Sequence, residues 1–154
     1  MRCFTDRLNA GDLDGLVELY EPSAVFEPQP GVVVHGHTAI RHALSELLAI
    51  GPTIGAETVQ VLVAEDLALV VNDWTLSGTA GDGTDVRQGG RSADVVRRQS
   101  DGRLLLAVDK PRRARPSATS SPGATWRRTR NGGGARGGRR RRPSACPADD
   151  RLPR

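Results

Sequence analysis

Leu8-Asn-Ala-Gly-Asp-Leu-Asp-Gly-Leu-Val-Glu-Leu-Tyr20 decides the reading of this chain. Asp12 suits a helix N-cap, because its carboxylate can accept backbone N–H groups that a first helical turn leaves without partners. Leu13, Leu16, Val17 and Tyr20 then recur at i, i+3, i+4 and i+7, one face of a helix. Pro22 stops that helix, since it has no N–H to donate and its ring clashes with the preceding turn. A shorter helix from about Arg2 to Asn9 is predicted upstream, joined at Gly11.

Working outward, Ser23 to Glu27 and Val32 to His35 read as short strands around a Pro28-Gln-Pro-Gly31 turn. Ile40, Ala43, Leu44, Leu47 and Leu48 repeat with helical period, with Thr38 placed to cap the start and Gly51-Pro52 to end it. The period then becomes two. Val59, Val61 and Val63 alternate with other residues up to a tight turn at Glu65-Asp66. Leu67 to Thr79, Asp85 to Gln99 and Arg103 to Asp109 follow as strands, separated by turns at Gly81-Asp-Gly83 and Ser100-Asp-Gly102. Strands joined by short turns predict an antiparallel meander. Helices first and a meander after them predict an α+β domain, with helices packed on one face of the sheet. Gly89-Gly90, inside a strand, predicts a bulge or bend.

Charge divides the 154 residues unevenly. Nine Lys and Arg face sixteen Asp and Glu through Lys110, and thirteen face two beyond it, which together make the net +4. An acidic domain over residues 1–110 is therefore joined to a basic tail over 111–154. Arg, Pro, Gly, Ser, Thr and Ala dominate that tail, and Trp126 is its only aromatic residue. So little apolar area cannot offset chain entropy, so disorder is expected there. Three readings of the tail stand open. The favoured one is the product of a frameshift near residue 110, since GC-rich DNA read out of frame encodes this composition. The second is a plain disordered, solvated tail. The third is a nucleic-acid arm, disfavoured because aromatic residues are so scarce.

Cys3 and Cys146, at opposite ends, do not make a disulfide framework and are expected to be free thiols. No apolar run approaches the roughly 18 residues of a membrane span, and no signal-peptide core opens the chain. A cytoplasmic protein without membrane contact is expected.

The quoted stretch, followed by Ala24-Val-Phe-Glu27 and Ala39-Ile-Arg41, resembles the opening of the SnoaL-like and ketosteroid-isomerase-like families of the nuclear transport factor 2-like superfamily. The resemblance covers about residues 4–110. It implies a cone-shaped domain, a curved antiparallel sheet against N-terminal helices, with an apolar pocket between them. Against that pattern the first helix looks clipped, with only eight residues upstream of the Asn-Ala-Gly turn. Relatives of this kind either do chemistry in the cone or only bind there, and often dimerise through the open sheet face.

Ketosteroid isomerases use a carboxylate base, a tyrosine and a protonated carboxylic acid. By resemblance the tyrosine position falls on Phe4, which has no hydroxyl, and the base position falls at Pro28, with Glu27 the adjacent carboxylate. The acid position falls on Asp94 and is kept. True steroid isomerisation is therefore not expected. Asp94 is the main candidate for proton transfer, because burial beside Val95 and Val96 would raise its pKa. His35 and Glu27 are candidate helpers. Strand alternation sends Asp73 and Trp74 to opposite faces, and Trp74, Phe4, Phe26 and Asp109 are the expected substrate-contacting residues.

His35 and His37 flank Gly36 without a third ligand nearby, and His42 is expected on the surface. No metal and no organic cofactor are implied. The expected function is binding of a small hydrophobic molecule, with acid/base isomerase or hydrolase activity. The alternatives are a non-catalytic dimeric interaction module and nucleic-acid binding through the tail.

Overall fold

The Asp12 cap forms: its side chain accepts the Gly15 N–H at 2.9 Å, and opens α2 (Leu13–Val17). A computed structural model describes residues 2–114. α1 (Arg2–Ala10) packs beside α2, and Leu8, Leu16 and Val17 are buried. The helix after Asp12 is shorter than its apolar period predicts. Tyr20 lies beyond it and opens β1 (Tyr20–Gln29). The sheet claims it: Tyr20 registers with Leu106, whose N–H donates to the Leu19 carbonyl at 2.8 Å. Burial of an apolar residue at i+7 satisfies either conformation, so periodicity could not separate them.

β2 (Val32–His35) pairs antiparallel with β1. α3 (Gly36–Leu48) follows and buries Ile40 and Leu44 completely. It starts two residues before the expected Thr38 cap. Gly36, at φ 72°, makes the turn from strand to helix that a side chain would resist. Four strands follow: β3 (Thr53–Ala64), β4 (Leu67–Thr79), β5 (Asp85–Arg98) and β6 (Leu104–Asp109). These form the predicted antiparallel meander. A single parallel pairing, β1 with β6, closes the order β2-β1-β6-β5-β4-β3. The long connection from β1 to β6, through β2, α3 and the rest of the meander, lets the two strands run the same way.

The result is a mixed α+β fold with a curved, unclosed sheet and N-terminal helices. Leu8, Leu16, Val17, Tyr20, Ala24, Phe26, Ile40, Leu44 and Leu106 form one core between helices and sheet. No described helix is long and apolar enough to cross a membrane.

Two expectations need correction. Gly89-Gly90 is no bulge: the β4–β5 register runs unbroken through Thr75–Gly89 and Trp74–Gly90. The glycine serves a close approach instead. A Cβ on Gly90 would collide with the Arg112 carbonyl of a further strand, β7 (Pro111–Arg113), which pairs with β5. The sheet therefore takes in three residues assigned to the basic tail. Residues 115–154, and with them Trp126, Cys146 and the expected disorder, lie outside the described residues.

Candidate active site

Strand parity builds the site. Along β4, Ala68, Asn72 and Leu76 are buried while Asp73 and Thr75 are exposed. Residues directly paired across a sheet share a face. Asn72 pairs with Ser92, Val70 with Asp94 and Trp74 with Gly90. At the other end of the sheet Phe26 pairs with both Val34 and Asp109. All of these belong to the face covered by α1 and α3. Between that face and the helices lies a cavity of about 580 Å³, a volume suited to a small organic ligand. Phe4 of α1, Ala43 and Leu47 of α3, and Phe26, Trp74 and Leu76 of the sheet make much of its apolar wall. Asn72, Ser92 and Asp109 provide a cluster of polar groups within it.

Behind that cluster runs a buried hydrogen-bond network. The Asp94 carboxylate accepts from the Ser92 hydroxyl at 2.6 Å, the Asn72 amide at 2.9 Å and the Lys110 backbone N–H at 3.2 Å. Asn72 is itself held by the Thr58 hydroxyl, which donates to its carbonyl at 2.7 Å. The Tyr20 hydroxyl donates to Asp109 in a short hydrogen bond. Asp94 is 0% exposed and Asp109 5%.

Removing two carboxyls from water so close together sets their protonation. Burial raises Asp109, the negative charge of Asp94 raises it further, and its pKa is pushed up to about 8. Burial also raises Asp94, against the opposing pull of Ser92, the Lys110 N–H and Asn72. Two like charges cannot both persist here, so the pair keeps one proton at neutral pH. Three donors converge on Asp94, so charge rests there and the proton rests on Asp109. Tyr20 is raised well above its ordinary value by burial and by Asp109, and stays a donor.

The residues expected at the site divide. Phe4, Phe26, Trp74 and Asp109 all line the cavity. Asp94 is enclosed but does not line it; Asp109, Ser92 and Asn72 stand in front. His35 is exposed at the end of β2, outside the cavity lining, because it pairs with Val25 on the opposite sheet face. Glu27 also turns away from the cavity. It bonds the Gly31 N–H and lies 2.7 Å from the Lys110 ammonium, which holds its carboxyl below the usual range. Neither is placed to touch a cavity ligand. His37 is half-buried, with Nε2 2.9 Å from the Tyr20 carbonyl. His42 is exposed yet contributes to the cavity mouth beside Glu46.

Tyr20 is the member of this network that the sequence reading left on a helix. Its ring stands edge-on to Phe4, with centroids 6.5 Å apart, and its hydroxyl is spent on Asp109 behind the cavity wall. One signal was available: Tyr20 is the chain's single tyrosine, two residues before a proline.

The fold has many solved counterparts. A ketosteroid isomerase-like protein from Erwinia carotovora atroseptica superposes with a TM-score of 0.67 at 13% identity, covering 75% of this chain and 91% of that one. A candidate scytalone dehydratase from Novosphingobium aromaticivorans gives 0.65 at 16% identity, covering 73% and 77%. ActVI-ORFA from Streptomyces coelicolor gives 0.59 at 18% identity, covering 69% and 86%. No curated protein sequence matches the chain. The SnoaL-like domain matches residues 1–106. With its helices, curved sheet and interior cavity accounted for, the chain belongs to the SnoaL-like family.

Proposed function

We propose that this domain binds a small hydrophobic molecule carrying an oxygen function and moves a proton on it through Asp109. One observation carries the reading. Asp109 lines the cavity, is raised by burial and by the Asp94 carboxyl behind it, and accepts a hydrogen bond from the Tyr20 hydroxyl. An acid whose pKa lies near neutrality can both give and retrieve a proton in one cycle. The Asp109 carboxyl protonates a ligand oxygen. As the carboxylate it takes a proton from the carbon next to the carbonyl carbon, giving the enol isomer; where it protonates a leaving hydroxyl instead, the same carboxylate takes the proton of the neighbouring carbon, so that water leaves and a carbon–carbon double bond forms. Tyr20 and the donors around Asp94 hold the transient charge. Relatives described as isomerase-like and as a candidate dehydratase agree with this class of chemistry. Asp94 acts through Asp109, and hydrolysis draws no support from these groups.

The test uses the full chain and a bicyclic ketone such as 2-decalone. Saturable quenching of Trp74 fluorescence, in a Trp126→Phe background, reports binding. Deuterium uptake at the α-carbon in D2O, followed by NMR, reports proton transfer. Uptake should fall about 100-fold or more in Asp109→Asn, while binding persists. Binding with uptake at the buffer rate would leave a binding domain without catalysis. No binding would remove the cavity reading altogether.

A second reading concerns the opposite sheet face. Leu62, Leu69, Val95 and Val108 pair in a continuous row across β3, β4, β5 and β6. Leu62 is 53% exposed, and Leu69 and Val108 36% each. Such a row across one face fits a homodimer interface. Sedimentation of Leu69→Arg should give a monomer if this face pairs, and an unchanged mass if it does not.

A further inference from the structure

Beyond Asp109 the cavity face continues into β7. Pro111 pairs with Ser92 and Arg113 with Gly90, while Arg112 pairs with Arg91. Ser92 is on the cavity face and Arg91 on the outer one, so Pro111 and Arg113 turn inward and Arg112 outward. The cavity lining agrees: it includes Pro111 and Arg113 but not Arg112. Gly90 is also the partner of Trp74. Trp74, Gly90 and Arg113 therefore form one row across three strands, and the glycine puts no side chain between indole and guanidinium.

Arg113 is anchored from behind. The Ala114 N–H donates to the Gly89 carbonyl at 2.7 Å, and Gly90 admits the backbone of β7 where any Cβ would collide. Its guanidinium has no ion-pair partner among the described residues, whereas Arg91 and Arg103 each have one and Arg97 has two. The other ionisable groups along this mouth, His42 and Glu46, face each other at 3.7 Å. A guanidinium with five donors beside an apolar wall, and no ion-pair partner among the described residues, is a fork for a planar or tetrahedral oxyanion.

We propose that Arg113 makes the ligand of this cavity an amphipathic organic anion, whose carboxylate-like group is held at the mouth while its apolar body lies on Trp74. The inference rests on the cavity reading given above and names the substrate class of that same site. It also sets a length. Four residues of extended chain separate Arg113 from Asp109, about 13 Å at the rise of a strand. The anionic group and the oxygen function that meets Asp109 thus belong at opposite ends of the molecule. That separation also keeps the ligand's charge away from the buried carboxyl pair.

Two probes with one apolar body isolate the charge. N-phenyl-1-naphthylamine is neutral, and 8-anilinonaphthalene-1-sulfonate adds an anionic group. Both brighten in apolar cavities, so both dissociation constants can be titrated by fluorescence on the full-length protein. Arg113→Gln should weaken the sulfonate about tenfold, the loss of one charge-assisted contact, and leave the neutral probe unchanged. Arg112→Gln, one residue away on the outward face, should change neither. Unchanged neutral-probe affinity certifies an intact cavity in each variant. Equal weakening of the sulfonate by both substitutions would overturn the inference, because it would mean general attraction to a basic surface. So would no weakening by Arg113→Gln. If the neutral probe shows no saturable binding to the unaltered protein, the cavity reading itself fails, and this inference with it.

Discussion

The two faces of the sheet treat the same chemical group in opposite ways. On the inner face Asp94 and Asp109 are buried and their carboxyls are raised, Asp109 to about 8. On the outer face Asp73 and Glu27 are lowered, by the Arg91 guanidinium and the Lys110 ammonium respectively. Asp73 adjoins Asn72, and Lys110 adjoins Asp109. One residue of strand parity separates a wet ion pair from a dry shared proton. Fold families of this kind can vary chemistry by choosing which side of a strand an acidic residue occupies, without changing the strand.

Replacing Asp94 by alanine should give the largest effect. It leaves the Ser92 hydroxyl, the Asn72 amide and the Lys110 N–H without their acceptor, at a cost of about 3 kcal/mol in urea unfolding. It also removes the charge that helps raise Asp109, whose pKa should fall. Asp73→Ala on the outer face breaks an exposed ion pair 2.7 Å long and should barely move the same midpoint. Similar losses from the two substitutions would erase the distinction between the faces.

The pH dependence of stability sharpens it. The folded chain keeps a proton on the Asp94–Asp109 pair that an unfolded chain releases above about pH 4. A raised carboxyl therefore contributes most below that point, and its contribution is lost as pH climbs through about 8. The slope is at most about 1.4 kcal/mol per pH unit in that window. The lowered carboxyls Asp73 and Glu27 act with the reverse sign: they stabilise above their unfolded values and lose this as pH falls below about 4. Asp109→Asn should flatten the decline between pH 5 and 8 and leave the acid limb unchanged. An unchanged slope would show that this carboxyl is not raised.

The smallest effect expected is that of salt. About 0.5 M NaCl should weaken the outer ion pairs Arg91–Asp73 and Arg97–Asp66, with a shift in melting temperature near the limit of detection. The Asp109 titration, shielded from ions by burial, should not follow the salt.

The meander was legible because β-rich runs, opened by the alternation of Val59, Val61 and Val63, are separated by short turns that glycine or acidic residues mark. Leu67 and Thr79 bound β4 as the sequence alone suggested. Asp94 drew notice through the family resemblance, and its burial is what the structure adds. What is not local in sequence was hidden. The β1–β6 parallel pairing joins residues more than eighty positions apart, and it alone sets Phe26 beside Asp109 and carries Tyr20 to the site. Apolar periodicity assigned Tyr20 to a helix because burial looks the same from either backbone. His35 and Glu27 drew notice as chemically able residues near a resemblance, but one-residue parity sends both outward. Gly90 was read as a distortion because no local signal announces a strand crossing twenty residues later.

The most direct test is the titration of the Asp109 carboxyl itself, by 13C NMR on full-length protein labelled at aspartate Cγ and assigned by loss of its signal in Asp109→Asn. A proton held through neutrality and released near pH 8 is the result this account predicts. A signal that ionises near pH 4, as an ordinary solvated aspartate does, would contradict it.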